Sequence, residues 1–267
     1  MTDAVRTPVV FIHGLWLHSS SWQPWIDLFN SSGYDASAMD WPGDGATVEE
    51  ARANPDAVAD VGVDEITDHY AKAIASLPAR PIVIGHSFGG LIVEKLLGEG
   101  FAAAGVAIDA APIKGVLPVP LSALRAAFPA LKNPGNIDAA VSLTKEQFHY
   151  AFGNALTPEE SAELYDKWTI PSPARPLFQA ATANFNPHAE TKVEVDNEDR
   201  GPLLLTMGGK DHTVPEAITK STYKQYRKSK AVTEITEFAD RGHSLTIDNG
   251  WREVADSVLG WLKDKGL

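Results

Sequence analysis

The 267-residue sequence contains no cysteine. Thiol nucleophiles, thiolate metal sites and disulfide cross-links are therefore excluded, whatever the fold. Absence of disulfides suits a reducing compartment, and a cytoplasmic location is expected. The sequence also lacks any run of the ~18 apolar residues needed to cross a bilayer. Its leading stretch, Met1-Thr2-Asp3-Ala4-Val5-Arg6-Thr7-Pro8, has neither an apolar core nor a cleavage-site pattern, so no targeting segment is expected. Positive charge is scarce: 23 Lys and Arg stand against 35 Asp and Glu, a net charge of −12. Nucleic acids and anionic membrane surfaces need clustered Lys and Arg, so neither is expected as a partner. What remains is an ordinary globular composition, 44% hydrophobic and 22% charged. The length suits one large α/β domain with room for an inserted segment.

Short apolar runs alternate with segments of helical period. Residues 9–12, 33–39, 81–84, 105–109, 202–207 and 231–238 read as strands, the first of them Val9-Val10-Phe11-Ile12. Residues 22–29, 63–77, 91–97, 215–226 and 251–263 read as helices, the first capped by Ser20 or Ser21. An acidic stretch carrying Asn54-Pro55 is expected to be a mobile connection. Apolar strands separated by helices predict a parallel sheet with helices on both faces. The alternation breaks after Ala111, where nine prolines interrupt short amphipathic pieces at 121–127, 145–152, 159–168 and 175–184, with no strand signal. This divides the chain into a core of residues 1–111 and 188–267 and a helical insertion of 112–187. The insertion is rich in aromatics, including Phe128, Phe148, Tyr150, Phe152, Tyr165, Trp168 and Phe178. It reads either as a lid over a site or as an appendage whose aromatics fill its own core.

Four polar sets fall at the carboxyl ends of expected strands, where sites gather in open parallel sheets: His13-Gly14, Ser87, Asp211 and His243. The stretch Gly85-His86-Ser87-Phe88-Gly89-Gly90 has Gly-x-Ser-x-Gly spacing between a strand and a helix, the pattern of a nucleophile elbow. A serine hydroxyl is a weak nucleophile at neutral pH and needs a base, itself oriented by a carboxylate. His243 is the candidate base, because neutral imidazole can accept a proton and later return it. Asp211 is the candidate orienting acid, with Asp109, at the end of the strand before the insertion, as its rival. Oxyanion donors are expected from the N–H groups of Phe88 and Leu15. Trp16 and, from the insertion, His149, Trp168 and Phe178 are candidate substrate-binding residues. No cluster of His, Asp and Glu shows metal-ligand spacing along the sequence, so no metal or other cofactor is expected.

These motifs together resemble the α/β-hydrolase family over nearly the whole chain. The matching stretches are Phe11-Ile12-His13-Gly14, Asp40-Trp41-Pro42-Gly43-Asp44-Gly45, the Ser87 turn, Gly209-Lys210-Asp211-His212-Thr213-Val214-Pro215 and Gly242-His243-Ser244. The first strand starts at Val9, so the family's two leading strands are missing, which implies a sheet of about six mostly parallel strands. Ser87 disfavours members with an aspartate nucleophile. The resemblance implies a cofactor-independent serine hydrolase that cleaves an ester of a small to medium apolar molecule through an acyl-enzyme. C–C bond hydrolysis, perhydrolysis and hydroxynitrile lyase chemistry use the same triad and stay open, as does a non-catalytic receptor. The resemblance leaves the oligomeric state open too.

Overall fold

The apolar runs become the strands of one sheet, and the periodic segments between them become helices. The computed structural model describes residues 6–267; residues 1–5, part of the leading stretch examined for a targeting pattern, lie outside them. In chain order the strands are β1 (Pro8–Ile12), β2 (Asp35–Ala38), β3 (Ile82–His86), β4 (Ala104–Ile108), β5 (Ala140–Val141), β6 (Ser172–Pro173), β7 (Leu203–Gly208) and β8 (Thr233–Phe238). The helices are α1 (Gln23–Ser31), α2 (Val48–Ala53), α3 (Val63–Ala75), α4 (Phe88–Gly98), α5 (Leu121–Leu131), α6 (Lys145–Ala151), α7 (Pro158–Trp168), α8 (Arg175–Thr182), α9 (Glu216–Gln225) and α10 (Trp251–Asp264). Six strands pair in parallel in the order β2-β1-β3-β4-β7-β8. The winding reverses between β1 and β3, and sheets of this kind bind ligands in the crevice beyond the carboxyl ends at that reversal. The loops after β1 and β3 both open there.

Successive strand residues face opposite layers, which gives two cores. Val9, Phe11, Ile82, Ile84 and Val106 pack with Trp25 and Phe29 of α1 and Val254, Val258 and Leu262 of α10. Val10, Ile12, Val83 and Leu205 pack on the other face with Ile66 and Tyr70 of α3 and Leu91, Ile92 and Leu96 of α4. Helix α4 is buried along its whole length, so its two charged residues need partners. The Lys95 ammonium donates to Asp64 and to the Glu190 carbonyl, both at 2.8 Å. Glu94 accepts from the Tyr226 hydroxyl at 2.7 Å, and burial pushes its carboxyl up to about 8 against the pull of that bond and of Arg200.

Three local expectations are corrected. Neither Ser20 nor Ser21 caps α1: Ser19–Trp22 forms a separate helical turn, and α1 starts at Gln23 with a proline in its first turn, where a missing N–H is harmless. The acidic stretch is not a bare connection. It forms α2, capped by Thr47, and Arg52 donates to the carbonyls of Tyr165, Asp166 and Thr169 at the carboxyl end of α7. The segment 112–187 carries a two-stranded antiparallel ribbon, with Ala140 opposite Pro173 and Val141 opposite Ser172. Two residues per strand are too few to leave an alternating pattern. Of the insertion's aromatics, Phe148 and Phe152 are buried and stacked at 4.9 Å, whereas Phe128 and Phe185 are exposed. Among the described residues no helix is long and apolar enough to cross a membrane.

Two outcomes are expected from this packing. A side chain on Gly89 would overlap the carbonyls of Ile12 and His13, which are backbone atoms that cannot rotate away. Gly89→Ala should therefore destabilise the fold by about 3 kcal/mol or more, read as a lowered urea midpoint. Glu94 is neutral in the fold until about pH 8, but ionises near its ordinary value when unfolded. Its contribution is complete below the unfolded value and is lost as pH rises through the folded one. Glu94→Gln keeps the acceptor for Tyr226, so its stability relative to wild type should rise between about pH 5 and about pH 9 by roughly 3 to 4 kcal/mol.

Candidate active site

Ser87 stands where β3 turns into α4, with φ 56° and ψ −121°. A non-glycine residue reaches this left-handed region at a cost of ~1–3 kcal/mol and persists only when its surroundings hold it. Here the Ser87 N–H donates to Ile108, and its carbonyl accepts from Gly90, Leu91 and Ala111. Among the described residues four non-glycines have positive φ, and three of them are Trp16, Ser87 and Asp109. All three lie just beyond the ends of adjacent strands.

Asp211 follows β7 and is buried. One carboxylate oxygen accepts from the N–H groups of Thr213 (2.6 Å) and Val214 (2.8 Å); the other accepts from His243 Nδ1 at 2.6 Å. Burial alone would push this carboxyl up, but the imidazole, its N–H and the Val214 amide hold it below the usual carboxylate range. His243, in the loop after β8, is fully buried, and its Nε2 has no hydrogen-bond partner. Its ring is packed by His86 at 4.5 Å and edge-on by Phe152 at 4.9 Å. His86 Nε2 donates to the His243 carbonyl at 2.8 Å, and burial followed by the neighbouring His243 keeps this imidazole well below its usual range and neutral.

Asp109, just past β4, is also fully buried and shares the Gly208 N–H between its two oxygens, each at 3.1 Å. Burial and then the Asp211 charge raise its carboxyl well above the ordinary range. Asp109, Asp211 and His243 each offer an atom within 4.8 Å of the others, a grouping that linear spacing did not reveal. It is a poor match for a cation as arranged, because His243 presents Nδ1–H, a proton and not a lone pair, to Asp211.

The loop after β1 is braced from two sides. His13 stacks on Trp41 at 4.9 Å and lies 3.2 Å from the Asp44 carboxylate, which explains the Asp-Trp-Pro-Gly-Asp stretch after β2. Trp16 is held by the ribbon: its N–H donates to Ser172 Oγ at 2.6 Å and its indole N–H to the Val141 carbonyl at 2.9 Å. Between these braces, the N–H of Leu15 has no acceptor among the described residues, and neither does the N–H of Phe88 at the start of α4.

Ser87, Phe88 and Trp16 line a cavity of about 230 Å³ whose walls come from the β4–α5 connection, α5, α8 and the start of α9. These walls are aliphatic, with Val116, Ala123, Leu124, Leu177, Ala180, Val214 and Ile218, and no charged residue contributes. The other polar members are engaged: Asn184 bridges Gly115 N–H and the Val116 carbonyl, and Thr213 donates to the Ala151 carbonyl. His149, Trp168 and Phe178 are not brought to this cavity. His149 lies on α6, Trp168 ends α7 beneath the Lys167 ammonium, and α8 turns Leu177 and Ala180 inward in place of Phe178. The sequence reading gave no site role to His86, which stands inside the Ser87 turn, to Phe152, one of the insertion's aromatics, or to Ser172, which no local pattern marks. The repeated alanines of α5 and α8 were the visible sign of a hollow wall.

The sequence profile of the alpha/beta hydrolase family matches residues 9–257. No curated protein matches the sequence. Among solved structures, the chain is similar to the monoacylglycerol lipase of Paleococcus ferrophilus, with TM-score 0.66 and 22% identity over 96% of this chain and 93% of that one. It is similar to the methylesterase MES16 of Arabidopsis, with TM-score 0.66 and 16% identity over 96% and 99%. The enol-lactonase of Burkholderia xenovorans LB400 gives TM-score 0.68 and 15% identity over 98% and 94%. At these identities the structures speak for a shared fold. The profile match, which spans nearly the whole chain on that same fold, makes this protein a member of the alpha/beta hydrolase family.

Proposed function

We propose that this protein is a cofactor-independent serine hydrolase that cleaves uncharged aliphatic carboxylic esters through an acyl-enzyme. The observation that carries this reading is the 2.6 Å bond from His243 Nδ1 to Asp211, which leaves the buried Nε2 as the ring's free atom. In this reading Ser87 Oγ attacks the ester carbonyl while His243 Nε2 takes its proton. Asp211 stabilises the imidazolium that forms. The two unoccupied N–H groups, of Leu15 and Phe88, receive the oxyanion, each worth roughly 3 kcal/mol to the transition state. The alcohol then leaves with the proton from His243. Water, deprotonated by the same imidazole, attacks the acyl group on Ser87 and releases the acid.

The insertion 112–187 serves as a cap, since α5 and α8 supply much of the cavity wall. With no charged group in that wall and its amide and threonine already engaged, recognition beyond the ester itself rests on apolar contact. Each buried methylene then contributes about 0.8 kcal/mol. Trp16 is the substrate-contacting residue of the β1 loop.

The test is p-nitrophenol release from esters running from acetate to decanoate. Specificity (kcat/KM) should rise by about fourfold per added methylene until the cavity is full, and then fall. A p-nitrophenyl ester ending in a carboxylate should be hydrolysed at least about tenfold more slowly than its neutral counterpart of equal length. Ser87→Ala should abolish turnover and keep the melting temperature. Undiminished turnover by that variant, or equal rates on charged and neutral esters, would refute the reading.

A further inference from the structure

The site holds a carboxyl group that the reaction above does not use. Asp109 and Asp211 follow neighbouring parallel strands, each offers an oxygen within 4.8 Å of the other, and both are buried. Two carboxylates cannot share a hydrogen bond without a proton, and like charges this close do not both ionise. The distribution of donors decides which group keeps the proton. Asp211 receives two backbone N–H groups and the imidazole N–H, whereas Asp109 receives a single N–H split across its two oxygens. The groups facing Asp109 supply no adjacent cation. The β7 loop presents Asp211; the loop after β8 presents His243 and Asp248, with Arg241 lying against Asp248 at 3.7 Å. From β3, the neutral His86 stands behind His243. The backbone holds Asp109 firmly in place, with φ 44° and its N–H on the Thr206 carbonyl. Gly208 leaves no space on the other side, since a Cβ there would lie 3.0 Å from the Asp109 carboxyl.

We propose that Asp109 is a positioning residue for the triad: its protonated carboxyl donates to Asp211, so that a single negative charge, fixed on Asp211, faces His243. The proposal rests on the serine-hydrolase reading for its kinetic consequences but not for the proton itself. An asparagine at position 109 reproduces the arrangement, with its oxygen accepting from Gly208 and its amide N–H donating to Asp211. The wild-type proton can be removed at high pH, after which two like charges compete for His243. The amide cannot lose its proton.

The experiment compares wild type, Asp109→Asn, Asp109→Ala and Asp211→Asn on the best ester, from about pH 6 to about pH 9.5. Asp109→Asn should keep kcat at neutral pH within about threefold and lack any alkaline decline that wild type shows on losing the Asp109 proton. Asp109→Ala should lose at least about tenfold in kcat with KM nearly unchanged. Infrared difference spectra at neutral pH, wild type minus Asp109→Asn, should show a protonated-carboxyl C=O band lost on substitution, over and above the Glu94 band that both proteins keep. The proposal is overturned if Asp109→Asn is as impaired as Asp109→Ala, or if Asp211→Asn stays active while Asp109→Asn does not, which would make Asp109 the orienting acid. It is also overturned if wild type and Asp109→Asn share the same alkaline decline, or if the substitution removes no such band. Should Asp109→Ala fail to fold, the asparagine profile and the infrared band decide the matter. Because the band needs no turnover, a protein that cleaves no ester yet loses the band on substitution fails the functional reading alone.

Discussion

The site depends on how closely α4 approaches the ends of β1 and β3. Gly85 and Gly89 let backbone meet backbone there: a side chain on either would collide with the Gly89 carbonyl or with the carbonyls of Ile12 and His13. This approach places Ser87 in its strained conformation, and hydrogen bonds to Ile108 and Ala111 hold it there. One turn thus ties together β1, β3 and the end of β4. The same closeness sets the loop after β1 against the Ser87 turn, where a Cβ on Gly14 would lie 2.8 Å from that of Ser87.

Electrostatics around this turn are those of a dry interior. Asp109, Asp211, His86 and His243 are all buried, and the charge states of the two carboxyls and of His86 follow from that burial and from who donates to whom. Asp211 collects three donors and stays ionised; Asp109 receives one shared N–H and is driven by burial towards its neutral form; His86 spends its one N–H on the His243 carbonyl. A single carboxylate opposite one imidazole is the arrangement of lowest desolvation cost that still orients the ring.

The insertion contributes shape to the site more than chemistry. Its ribbon anchors Trp16 through Val141 and Ser172, and α2 reaches across to its carbonyls through Arg52. Its large aromatics Phe148 and Phe152 pack into the same core as Leu91 and Ile92 of α4, and Phe152 stands edge-on to His243. Its alanines leave the aliphatic hollow in front of Ser87.

Much of this was legible along the chain, because it is written in local spacing. Strand and helix periods, the glycines two positions either side of Ser87, and the His13-Gly14 loop all depend on neighbours a few residues apart. The fold alone settled contacts between distant segments. These are the closeness of Asp109 to Asp211 beyond the ends of β4 and β7, the packing of His86 on His243, the β5–β6 ribbon, and the cavity's choice of Leu177 and Ala180 over Phe178. The start of α1 and the anchoring of α2 belong with them, since a proline's place in the first turn and a guanidinium's carbonyl partners follow from packing. Local conformation answers to the residues beside it, whereas the meeting of two buried groups answers to strand register and helix rotation, which no short stretch of sequence encodes.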